Sequence, residues 1–203
     1  MPETEEMRKD TKPGHREDAF TRVCRLLDEV RRRKPEDQLV VAIDGHCASG
    51  KTTLGGQLKE TYDCTLIHMD DFYPTPAQRT KERMQEIGGH IDYERFTKEI
   101  VGHLSDPEGL RYRPLLPPRL IFGEEIREPY RKLIVIEGAY SQHPRFGDIY
   151  DLRFFYDIDP KLQLERILKR NGPEKLIRFR EEWIPKENRY LEAFHIREQS
   201  ILL

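Results

Sequence analysis

Residues 45–52 read Gly45-His46-Cys47-Ala48-Ser49-Gly50-Lys51-Thr52, which matches the spacing G-x-x-x-x-G-K-[ST] at every position. Upstream, Leu39 to Ile43 form a dense apolar run that predicts a buried strand. Downstream, Thr52 to about Thr61 predicts a helix, and Cys64 to Met69 a second strand. Strand, glycine-rich turn, helix and strand imply a parallel sheet with the turn at its carboxyl edge. Glycines let the turn wrap closely enough for its N–H groups to surround a phosphate, and the helix that follows adds its positive end. In that setting Lys51 neutralises charge on the terminal phosphates and Thr52 offers a hydroxyl to Mg²⁺.

Two further strands bring acids to the same edge. The segment His68-Met69-Asp70-Asp71-Phe72-Tyr73 ends the second strand with adjacent carboxylates, where open α/β sheets bind ligands. Phosphoryl transfer to an alcohol needs a carboxylate to orient the hydroxyl and accept its proton, and either Asp70 or Asp71 is placed for this; capping of the following segment is the plain alternative. Leu133 to Ile136 predict a strand that delivers Glu137, an acid able to hold magnesium through water or to orient the attacking group. Tyr150 to Ile158 predict another strand. After Asp159-Pro160 the chain reads as helical to about Phe194 with a break at Gly172-Pro173, and it carries Arg166 and Arg170 four residues apart on one face. Such cations on a mobile segment can close over a transferring phosphate, whereas Arg178 and Arg180, interleaved with glutamates, read as a solvated helix face.

Composition narrows the function classes. The 203 residues carry 35 Lys+Arg against 37 Asp+Glu, so there is no basic footprint for nucleic acid, and the run Arg31 to Lys34 reads as the end of an amphipathic helix begun near Ala19. No apolar stretch approaches the ~20 residues needed to span a bilayer and the N-terminus lacks a signal-peptide core, which predicts a cytoplasmic protein without a membrane partner. Cys24, Cys47 and Cys64 have unrelated spacings and predict reduced thiols. Residues 1–14 read as a flexible polar segment, and 15–203 as a single domain with about five strands, helices on both faces and a helical lid at about 166–183. Tyr93 to Leu104 predict a helix, and Leu120 to Phe122 with Glu125 to Arg127 a hairpin across Gly123. The guanine-reading tetrapeptide N-K-x-D is absent, and transporter and ring ATPases need longer chains, which leaves a compact phosphotransferase.

From about Leu39 to Phe194 the chain resembles the uridine kinase branch of the phosphoribulokinase/uridine kinase/pantothenate kinase family of P-loop kinases. The resemblance rests on Ile43-Asp44-Gly45 leading into Ser49-Gly50-Lys51-Thr52-Thr53, on Asp70-Asp71-Phe72-Tyr73, on Glu137-Gly138, and on Asp157-x-Asp159 followed by Arg166 and Arg170. It implies an α/β P-loop NTPase fold. It also implies nucleotide binding by Gly45, Ala48, Ser49, Gly50, Lys51, Thr52 and Thr53, Asp70 as catalytic base with Lys51, Arg166 and Arg170 assisting, and Mg²⁺ linked to Thr52 and Glu137. Asp70, Tyr73, Asp92 and Tyr112 are the implied acceptor-binding residues, although the Tyr-Asp-Phe of uridine kinases is replaced here by Tyr112-Arg113-Pro114, and a helix cap explains Asp92 equally well. The expected activity is ATP- and Mg²⁺-dependent phosphorylation of a small-molecule hydroxyl, with uridine or cytidine first. Pantothenate or a sugar, or a nucleotide-binding regulator without transfer, are the alternatives; self-association is left open.

Overall fold

The computed structural model describes residues 17–203. The expected flexible segment 1–14 lies outside them. Helix α1 (Ala19–Arg33) starts at Asp18, whose carboxylate accepts the Thr21 N–H at 3.0 Å, and ends in Arg31, Arg32 and Arg33, where cations meet the negative end of the helix. Strand β1 (Leu39–Gly45) is buried along its whole length, so both of its faces are covered and no apolar-polar alternation is needed. It runs through the phosphate loop into α2 (Lys51–Thr61), which returns to β2 (Thr65–His68). This strand is shorter than expected because Met69–Asp71 turns out of it as one 3-10 turn.

The following segment carries the short helices α3 (Lys81–Gln85) and α4 (Tyr93–Glu99). The helix expected to reach Leu104 stops at Glu99 and continues only as a 3-10 turn over Val101–His103. Four short strands come next: β3 (Leu110–Tyr112), β4 (Leu115–Leu116), β5 (Ile121–Phe122) and β6 (Ile126–Glu128). The expected hairpin across Gly123 does not form. Instead β4 pairs with β5, and β3 pairs with β6, as one antiparallel pair nested inside another. Segments of two or three residues carry no period from which their partners can be read.

Strands β7 (Leu133–Glu137) and β8 (Leu152–Tyr156) complete the central layer with β9 (Ile201–Leu202), giving an all-parallel sheet in the order β2-β7-β1-β8-β9. Between β8 and β9 lie α5 (Pro160–Arg178), a π-helical turn Phe179–Trp183 and α6 (Ile184–Ala193). Within α5, Gly172 leaves helical geometry at φ 80°, a conformation a side chain would resist, and the break falls at the expected Gly172-Pro173. One sheet face packs Val41, Ile43, Val135 and Phe154 against Leu26 and Leu27 of α1 and Leu54 and Leu58 of α2. The other packs Val40, Ala42, Ile136 and Phe155 against Phe96 of α4 and Tyr190 and Leu191 of α6. With helices on both faces, the polar ends of β1, β2 and β7 open to one side, where the loops gather.

Candidate active site

At the carboxyl ends of the strands lies a cleft of about 1120 Å³. Cys47 to Thr53 form one wall, Asp70 and Tyr73 come from the segment after β2, Glu137 to Tyr140 from the end of β7, and Arg166, Arg170 and Lys175 from α5. The phosphate loop is held closely. A Cβ at Gly45 would stand 2.2 Å from the Tyr156 carbonyl oxygen, and Gly50, at φ 117°, starts α2 from a left-handed conformation with no side chain capping the helix. Without such a cap, the first N–H groups of α2 keep the positive end of the helix open towards the cleft. Lys51 is buried, and its Nζ donates to the carbonyls of Gly45 at 2.9 Å and His46 at 2.7 Å.

Distant segments grip the loop from outside. Arg166 donates to the carbonyls of Ala48 and Ser49, and Gln163, also on α5, donates to the Cys47 carbonyl at 3.1 Å. From α6, the Glu187 carboxylate accepts the Cys47 N–H at 2.9 Å. Beneath the loop, buried Asp44 accepts the Gly45 N–H at 2.7 Å, the Gln142 N–H at 3.0 Å and the Tyr190 hydroxyl at 2.7 Å. Burial pushes both Asp44 and Glu187 above the usual carboxylate range. His46 and Cys47 are half-buried: the His46 ring lies 3.3 Å from Asp157 and edge-on to Phe155, and burial raises the Cys47 thiol so that it stays protonated.

The acids divide by position. Asp70 is exposed to the cleft and accepts the Tyr73 hydroxyl at 2.9 Å. Asp71 turns away, taking the Tyr112 hydroxyl at 3.3 Å, while Arg95 donates to its backbone carbonyl at 2.7 Å. Glu137 is buried at the end of β7, and His68 Nδ1 lies 2.6 Å from its Oε1; that hydrogen bond raises the His68 pKa. Among the described residues no three His, Cys, Asp or Glu side chains cluster as a self-contained metal cage. Thr52 and Glu137 nevertheless line the same cleft as hard oxygen donors, and Mg²⁺ commonly uses one or two protein oxygens together with waters and substrate phosphates.

Of the residues singled out in the sequence, the structure brings Ala48, Ser49, Gly50, Lys51, Thr52, Thr53, Asp70, Tyr73, Glu137, Arg166 and Arg170 to this one cleft. Gly45 shapes the loop from below. Asp92 and Tyr112 are outside the cleft lining. Asp92 caps α4 by accepting the Arg95 N–H at 3.0 Å, and Tyr112 stacks on Phe72 with ring centroids 5.2 Å apart. Sequence reading missed Glu187 and Gln163. A signal for Glu187 was present: with Tyr190 and Leu191 it occupies the buried face of α6 at positions i, i+3 and i+4, and an acid on an apolar face requires a polar partner.

No family model matches the chain. Uridine-cytidine kinase C of Dictyostelium discoideum is 24% identical over 136 residues, covering 66% of this chain and 30% of that protein. Uridine kinase-like protein 5 of Arabidopsis thaliana is 27% identical over 168 residues, covering 75% and 35%. The chain thus spans about a third of these two relatives. The uridine kinase of Lactococcus lactis subsp. cremoris strain MG1363 is 24% identical over 148 residues, covering 68% of this chain and 70% of that protein. Among solved structures, a possible uridine kinase from Bacillus stearothermophilus superposes with a TM-score of 0.66 at 22% identity, covering 90% of this chain and 97% of that one. The chain has an α/β P-loop NTPase fold. A candidate fructose transport system kinase from Silicibacter sp. TM1040 shares this fold at a TM-score of 0.69 and 20% identity, covering 87% and 95%. The sequence relatives named here are uridine kinases and a uridine kinase-like protein.

Proposed function

We propose that the protein is an ATP-dependent kinase that transfers the γ-phosphoryl group to a hydroxyl of a small molecule. The observation that carries this reading is the meeting, in one cleft, of a complete phosphate loop, an exposed carboxylate at Asp70, and the cations Arg166 and Arg170. ATP enters with its phosphates along Ser49 to Thr53, where backbone N–H groups, Lys51 and the start of α2 supply positive potential. Asp70 orients the acceptor hydroxyl and takes its proton as the acceptor oxygen bonds to the γ-phosphorus; the bond from that phosphorus to the β-bridging oxygen breaks and ADP leaves. Tyr73 steadies the Asp70 carboxylate. Thr52 and Glu137 would hold Mg²⁺, which when bound would neutralise phosphate charge. Arg166 and Arg170 close on the charge developing at the transferred group.

A nucleoside such as uridine or cytidine is the acceptor favoured by the names of the sequence relatives. A different alcohol, such as a sugar or pantothenate, is the second reading, favoured by the positions of Asp92 and Tyr112: the residues matched to nucleoside recognition are engaged in a helix cap and in a hydrogen bond to Asp71. The test is ADP release from MgATP across a panel of nucleosides, sugars and pantothenate, with Lys51→Met as control. Acceptor-dependent ADP release that Lys51→Met lowers by roughly 10³-fold, with an unchanged circular dichroism spectrum, supports a kinase. Nucleotide binding without response to any alcohol indicates a binding module instead.

A further inference from the structure

Cys47 is the point at which two remote helices fix the phosphate loop. Its carbonyl accepts from Gln163 of α5 and its N–H donates to Glu187 of α6. Glu187 is 8% exposed and lines the cleft, so its carboxylate is buried beside the loop and the equally buried Lys51. The charged and titratable groups facing it are Lys51 and Cys47 from the loop and α2, Asp44 from β1, Tyr73 from the segment after β2, and Tyr140 from the segment after β7. Lys51 is the sole cation of this set, and it spends its hydrogen bonds on the Gly45 and His46 carbonyls. Desolvation favours the neutral acid at Glu187, with Lys51 and the Cys47 N–H acting against it.

Resting on the nucleotide reading above, the terminal phosphates of ATP must enter this same loop and draw on the same lysine. An ionised carboxylate there repels them, and because Glu187 is buried the repulsion is only partly screened. The neutral acid does not repel them, and its carbonyl oxygen still accepts the Cys47 N–H. We infer that Glu187 is a positioning residue of the nucleotide site, anchoring the loop through Cys47 and taking up a proton from solvent when the phosphates bind. Affinity for the nucleotide then falls as Glu187 ionises in the free protein. α6 thereby senses whether the loop is filled.

The experiment is isothermal titration of MgADP and a non-hydrolysable MgATP analogue into the full chain from pH 6 to 8.5, each in two buffers of different ionisation enthalpy. Wild type, Glu187→Gln and Glu187→Ala are compared, so that titration of the nucleotide itself cancels between variants. Glutamine keeps the acceptor and removes the charge. It is expected to match wild type at pH 6 and to bind about tenfold more tightly at pH 8.5, with less proton uptake, while alanine binds more weakly throughout because the loop loses its anchor. Proton uptake by wild type above that of the free nucleotide's own titration tests the idea without any variant. Superimposable wild-type and glutamine curves, a glutamine variant weaker at every pH, or no excess uptake would overturn the inference and leave the kinase reading intact. A wild-type protein that binds no nucleotide would overturn both.

Discussion

Arg166 Nη1 lies 2.9 Å from the carbonyl oxygen of Ser49 and also donates to Ala48 at 3.1 Å, so α5 is tied to the phosphate loop across 117 residues of chain. Four residues on, Arg170 lines the same cleft, and its Nε donates to the Oδ1 of the neighbouring Asn171 at 2.8 Å. The two arginines therefore differ in task. Arg166→Ala should loosen the loop and raise the apparent KM for ATP as well as slow transfer, whereas Arg170→Ala should act mainly on kcat. Each loss is expected to be roughly 10²-fold in kcat/KM, the usual cost of one preorganised donor. Steady-state kinetics of both variants and the pair check this, and unchanged kinetics in the double variant would remove the lid role.

The paired acids after β2 should separate just as clearly. Asp70→Asn is expected to lower kcat by about 10²- to 10⁴-fold with nucleotide binding kept, because it removes the carboxylate facing the cleft. Asp71→Asn should cost far less in rate. Asp71 is half-buried, takes the Tyr112 hydroxyl, and has its pKa raised by burial, so the neutral amide satisfies the same neighbours. A reversed ranking in single-turnover assays would show that Asp71 carries the base.

Much of this arrangement was legible because its determinants are local. Gly45 to Thr52 encode a turn, a helix start and a phosphate cradle within eight residues, and the runs ending at Asp70 and Glu137 need only be placed on parallel strands to converge. The two-faced apolar packing of β1 and β7 likewise follows from unbroken hydrophobic runs. What escaped reading was non-local. The β9 strand is two residues long, and β3 finds its partner beyond the inner β4-β5 pair. Glu187 meets Cys47 across 140 residues, a contact set by how α6 returns over the sheet and not by any motif.

Asp92 illustrates a residue whose matched position and observed partners differ. It is buried, caps α4 through the Arg95 N–H, and lies 3.5 Å from the Arg95 Nε. Asp92→Ala is therefore expected to cost about 1 to 2 kcal/mol, lowering Tm by roughly 3 to 6 °C, with the KM for the acceptor unchanged. Asp92→Asn, which retains a capping oxygen, should lose less. A variant with unaltered Tm and a raised acceptor KM would instead return Asp92 to substrate binding.

His90 makes the fold sensitive to acid. Its imidazole lines the cleft, burial together with the charges of Lys186, Arg79 and Arg178 pushes its pKa down to about 4, and Glu182, 4.0 Å away, only partly offsets them. In the unfolded chain a histidine titrates near its ordinary value of about 6.5. Between those two values the unfolded state binds the proton and the folded state does not, so stability must fall as the pH is lowered through this window. The slope from this one group is at most about 1.4 kcal/mol per pH unit, amounting to about 3 kcal/mol by pH 4. His90→Gln, which cannot take up the proton, should lack this component. Urea unfolding of wild type and variant at half-unit steps from pH 7 to 4 reads the difference directly, since the other titrating groups are common to both. The gap between the curves should open in favour of the glutamine variant as pH falls below 6.5; a constant gap would mean that His90 takes up its proton as readily in the folded protein as in the unfolded one, with Glu182 balancing burial and the surrounding cations.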